Sequence, residues 1–194
     1  PLYSSAASDV YKRQPLSFTY LFKEKQMADP HIKSPMDFWD YLTVIIYRSG
    51  FVLAMLAVLL LPYQSDFALK GLLLAGTMLG SSLHLYLKQF RLIFQFSVWI
   101  GLLCFIFGVP ILALGAMLLV VGGLSYKEYF CFRVFGLNFQ PIFVAVLWFA
   151  FVFEQLVLVQ IFSVIIGILL LILSIQKWRM PLYFDIGDKT KYQV

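Results

Sequence analysis

Charge along this chain is confined to short clusters, and between them run long uncharged stretches: 49–65, 71–87, 92–126, 134–153 and 155–176. A membrane crossing needs about 20 apolar residues, at 1.5 Å rise each, to cover roughly 30 Å of hydrocarbon. The 35-residue run 92–126 would make a single helix of about 52 Å, too long for one crossing. Gly108-Val109-Pro110 lies at its middle, and proline disfavours helical geometry in the residue before it, so a tight turn is predicted there. The stretch 134–176 is broken only at Glu154-Gln155 and reads as two further spans. The pattern therefore predicts six helices, at about 42–61, 67–87, 90–107, 111–127, 139–154 and 157–176. The third, fourth and fifth are short on this reading, which implies a thin local bilayer or snorkelling flanks.

The connections fit this division. Ser34-Pro35-Met36-Asp37 resembles a helix start. The segment 27–41 then places Phe38, Trp39 and Tyr41 at headgroup level, and Trp178, Tyr183 and Phe184 do the same after the last span. Leu124 to Gln140 is aromatic-rich, with turn residues Gly136-Leu137-Asn138, and is expected to form an interfacial elbow. Residues 1–26 are set apart as a polar leader. Within it, 1–14 resemble a translated sequencing adapter, and Met27 is the expected start. Residues 177–194 are expected to be a cytoplasmic tail.

Composition sharpens the class. Apolar residues make up 61% and charged residues 13%, about half the charge of a soluble domain, and this excludes an ordinary water-soluble globule. The cations give the orientation. Lys33, Lys88, Arg91, Lys127, Arg133, Lys177, Arg179, Lys189 and Lys191 all fall on one side of a six-span topology. The opposite turns, 62–66, 108–110 and 154–156, carry none. The positive-inside rule then puts both termini in the cytoplasm. The fold class is all-α: a polytopic transmembrane bundle of six short helices, multi-pass in the inner membrane. The net charge of +5 follows from this asymmetry and calls for no nucleic-acid partner.

Catalytic motifs are absent: there is no Walker loop, His-Glu-x-x-His, Gly-x-Ser-x-Gly or dinucleotide fingerprint. His31 and His84 are the only histidines, and Cys104 and Cys131 lie at different depths, so neither a metal site nor a disulfide is expected. No enzyme activity and no cofactor are expected. Gly76 and Gly80 are spaced for close helix approach, and packing within one protomer is the favoured reading over a homodimer contact or a pore lining. The intramembrane polar candidates are Arg48, Lys70 and Glu154, with Glu128 at an inner edge and His84 near the inner end of the second span. Charges at such depth are costly and functional by default, although snorkelling serves those near a boundary. Two pairings are expected. Arg48 and Glu128 lean toward the same depth from antiparallel helices and should form a clasp, with Tyr47 and His84 nearby. Lys70 and Glu154 should meet at the outer boundary if their helices are neighbours.

Tyr47-Arg48-Ser49-Gly50 and Lys127-Glu128-x-Phe130-Cys131-Phe132 resemble patterns in the bacterial and cyanobacterial integral membrane proteins grouped as domain of unknown function 2301. The similarity spans roughly 40–176. The resemblance implies a small helical protein of the bacterial inner membrane with no assigned activity, substrate or cofactor. The functional expectation is a non-enzymatic structural or assembly-type membrane protein, whose partners are the lipid bilayer and a second copy or another membrane protein. The alternative is a small transporter or channel for an unidentified solute.

Overall fold

The computed structural model describes residues 35–83, 85, 87–187 and 189. It is all-helical over those residues. Six main helices follow one another: α1 Phe38–Leu60, α2 Ser65–Ser81, α3 Lys88–Ile106, α4 Pro110–Phe132, α5 Gln140–Val152 and α6 Leu156–Arg179. A 3-10 turn, Leu137–Phe139, precedes α5, and a four-residue helix, α7 (Tyr183–Ile186), follows α6. The Gly108-Val109-Pro110 turn lies where the sequence places it, with Gly108 at φ +74° and Pro110 opening α4. Proline suits that position because the first amide of a helix has no intrahelical acceptor.

Helix lengths depart from expectation in an informative way. The helices α1, α3, α4 and α6 are long and apolar enough to cross a membrane, whereas α2 has 17 residues and α5 only 13. The fourth helix, expected to be short, has 23 residues. No helix breaker follows Lys127 until Gly136, so α4 runs on to Phe132 through the first part of the segment expected to be an elbow, and only 133–139 turns. The fifth is the short one. Its approach, 133–139, turns inward through left-handed geometry at Arg133 and Gly136, with φ of 49° and 87°. Val134 and Leu137 are buried, and Gly136 packs on Leu169 of α6, where a Cβ would sit 3.3 Å from Leu169 Cδ2. Leu169 lies about 15 Å along the axis from the end of α6. The start of α5 is therefore set deep in the bundle.

Packing order follows the short turns. Helix α1 lies against α2 and α6, and α4 touches α2, α3 and α5 and, more lightly, α6, while α5 and α6 close the remaining side. Small residues set the closest approaches. A Cβ on Gly50 of α1 would lie 2.9 Å from Leu79 Cγ of α2, and one on Gly122 of α4 would lie 2.6 Å from Val144 Cγ2 of α5. Without much solvent-driven association between apolar helices in lipid, such backbone contact carries the packing. Trp148 of α5 donates its indole N–H to the Ile111 carbonyl of α4 at 2.9 Å and ties the opposite ends of these helices together.

Candidate functional site

The polar chemistry of the bundle is gathered at its basic end. Tyr47 and Arg48 are consecutive on α1 and point about 100° apart, yet both are enclosed, at 0% and 1% exposure. The Tyr47 hydroxyl donates to Glu128 Oε1 of α4 at 2.8 Å. Lys177, near the end of α6, donates to Glu128 Oε2 at 2.9 Å and to Asp185 Oδ1 of α7 at 2.5 Å. Arg48 approaches Asp185 Oδ2 at 2.6 Å through both Nε and Nη2. Its Nη1 and Nη2 also donate to the carbonyls of Met180 and Pro181, at 2.7 and 2.9 Å. Those carbonyls follow directly on the last turn of α6, where the helix dipole favours a cation. Lys127 completes the group, 3.2 Å from Glu128 Oε1 and 5.3 Å from the Tyr47 ring centre.

The result is one chain of bonds, Arg48–Asp185–Lys177–Glu128–Tyr47, that links α1, α4, α6 and α7. The Lys177 ammonium also lies 4.9, 5.5 and 5.8 Å from the ring centres of Tyr47, Phe132 and Phe51. Aromatic faces are negative and attract a desolvated cation. A buried ion pair is tolerable only when its remaining donors and acceptors are satisfied. Here they are, because each carboxylate oxygen has at least one donor.

The expected Arg48–Glu128 clasp is corrected. Both residues belong to the cluster, and Tyr47 is the neighbour expected, but Arg48 pairs with Asp185 and Glu128 with Lys177. The physical reason is the packing order. Helix α1 packs far more closely on α6 than on α4, and α6 continues past residue 176 to Arg179. This inserts Lys177 between the two carboxylates. Lys177 and Asp185 both fall in 177–194, the segment expected to be a cytoplasmic tail. The signal that points to Lys177 is the lack of any helix breaker before Pro181, which lets the last span carry it inward. Asp185 has no such local signal.

The second expected pair is not formed. Lys70 and Glu154 are exposed at the opposite end of the bundle, and α2 and α5 are not among its packed pairs. Gly76 lies against Met117 of α4, and Gly80 against Val98 of α3, both within one protomer. His84 lies outside the described residues. Among the described residues, no three His, Cys, Asp or Glu side chains converge as a metal ion would need.

A family model described as an uncharacterized integral membrane protein (DUF2301) matches residues 105–194, a stretch that includes Glu128, Lys177 and Asp185. An uncharacterized protein of Haemophilus influenzae is 66% identical over 168 residues, which cover 87% of this chain and all of the relative. The chain belongs to the DUF2301 family of integral membrane proteins. No solved structure matches it. Membership agrees with the helical bundle, and the DUF2301 description assigns no activity.

Proposed function

We propose that this DUF2301 protein is a non-enzymatic scaffold of the bacterial inner membrane, which acts through the surfaces it offers to lipid and to other membrane chains. One observation carries the reading. The charged groups Arg48, Glu128, Lys177 and Asp185, with side chains between 1% and 7% exposed, are bonded to one another rather than turned toward a passage. Around them the helix seams are tight enough that a Cβ on Gly50 or Gly122 would strike its neighbour. The lipid-facing side supports the same reading. A groove of about 510 Å³ between α3, α4 and α5, walled by Phe94, Leu119 and Trp148, is almost wholly apolar. The basic end faces the cytoplasm on this proposal, by the positive-inside rule.

A small transporter or channel is the second reading. It is favoured by Gln140, Ser163 and Ser174, buried side chains on α5 and α6 whose polar atoms have no hydrogen-bond partner. Purified protein in sealed proteoliposomes separates the two. The scaffold predicts that permeability to protons, alkali cations, chloride and small organic anions equals that of empty vesicles. A saturable flux that Lys177→Met removes would overturn it.

A further inference from the structure

Asp185 is held as a ligand is held. Two nitrogens of the Arg48 guanidinium meet one carboxylate oxygen, and the Lys177 ammonium meets the other. The two cationic side chains are 2% and 1% exposed with Asp185 in place, and they come from different helices, α1 and α6, so their convergence on one carboxylate is set by how those helices pack. A guanidinium fork with an adjacent ammonium recognises carboxylate and phosphate alike.

The carboxylate is delivered by a slender element. The strap from Pro181 to Gly187 packs against α1, and its helix α7 has four residues, too few to be stable alone. It is fastened inside by Asp185 and the buried Ile186, and outside by Lys189, whose ammonium lies 2.5 Å from Asp40 Oδ2 of α1. The outer pair is exposed, and such pairs are weak. Gly187 at φ +61° ends α7 in a conformation that favours glycine. Without Asp185, the cluster would keep Arg48, Lys127 and Lys177 against Glu128 alone. That is a net charge of +2 (three cations less one anion) in a largely enclosed place, and it demands another anion.

We propose that Arg48 and Lys177 form an anion site for a phosphate group, occupied in this structure by the Asp185 carboxylate as a tethered competitor. Phosphate entry and strap release are then one event. The Arg48 Nη1 donor, now on the Met180 carbonyl at the strap's hinge, becomes available for a third phosphate oxygen. The phosphate comes from a lipid headgroup, a diester with two terminal oxygens, or from solution, where free phosphate offers the third as well; both share the paired terminal oxygens that a guanidinium fork takes.

The test uses the full chain in nanodiscs of digalactosyldiacylglycerol, a bilayer lipid without phosphate. Asp185→Asn empties the site of its carboxylate and leaves both cations. Inorganic phosphate at about a hundred times its Kd should then raise Tm by roughly 5–10 °C. The same titration should leave Arg48→Gln/Asp185→Asn unmoved. If phosphatidylglycerol in the nanodisc raises Tm without added phosphate, and loses the effect in the double variant, the source is the headgroup. A response to free phosphate alone makes it the soluble anion. Lys189→Ala provides a second route, because it loosens only the outer fastening and keeps Asp185. In that background phosphate or phosphatidylglycerol should speed labelling of Tyr183→Cys several-fold, and this result decides the matter if Asp185→Asn does not fold. Failure of both anions to act, a response matched by sodium chloride at equal ionic strength, or one that survives Arg48→Gln overturns the proposal.

Discussion

Arg48 is the residue whose removal should be felt most, and the partner through which it is felt separates this structure from the pairing expected from depth alone. Arg48→Met keeps much of the side chain's length but removes the ion pair to Asp185 and the donors to the Met180 and Pro181 carbonyls. Asp185 then retains only Lys177. Removing one partner of a buried pair costs about 3–5 kcal/mol, because the remaining charge stays desolvated. For a domain of this size, each kcal/mol moves Tm by roughly 2–4 °C, so the loss should be about 6–20 °C. The assay is a double-mutant cycle on Tm in detergent, with Arg48→Met, Asp185→Asn and Glu128→Gln. The Arg48/Asp185 pair should fall short of additivity by about 1–3 kcal/mol, as contacting residues do. The Arg48/Glu128 coupling should be smaller, since the two groups meet only through Lys177 and Asp185. The loss should also change little with salt, because enclosed charges are poorly screened. An Arg48/Glu128 coupling equal to or larger than the Arg48/Asp185 coupling would refute this arrangement.

Three further outcomes can be measured. Gly76→Leu must displace Met117 from the seam between α2 and α4; overpacking of this kind costs about 1–3 kcal/mol, and an unchanged Tm would show that the seam is loose. Ser65→Cys and Val109→Cys should be labelled only from outside the cell, and Gln89→Cys and Arg133→Cys only from inside; an outside signal at Arg133 would remove the turn at Gly108. The hydrogen bond from Lys189 to Asp40, with the charges of Asp40 and Asp37 beside it, raises the Lys189 pKa. A raised lysine pKa means that its contribution is fully present below the unfolded value of about 10.4 and disappears as pH rises through the folded value. Labelling of the strap, taken relative to that of a free thiol at each pH, should therefore stay slow at neutral pH and increase only in strong alkali, and a relative rise already near pH 8 would contradict the fastening.

The number of helices and their approximate places were written in the order of residues. In hydrocarbon every backbone amide must be bonded within its own segment, so uncharged runs, a Gly-Val-Pro break and a lone Glu154 translate directly into helices and turns. Helix ends were less legible where no breaker marks them. Both α4 and α6 continue beyond the ends of their uncharged runs, to Phe132 and Arg179, since a lysine or glutamate does not stop a helix. The membership of Arg48, Tyr47 and Glu128 in one polar cluster was also readable, from their depth and the direction in which helical side chains lean. Which of them bond to each other was not. That depended on α1 packing against α6, and lipid gives no guide to such a choice, because a lipid-facing side and a buried side are equally apolar in sequence. Asp185 is the extreme case. Nothing local distinguishes it from any exposed acidic residue of a polar tail. It becomes the partner of Arg48 and Lys177 only because the folded bundle presents two enclosed cations within reach of the strap, and charges so enclosed need a counter-charge that only the tertiary arrangement can select.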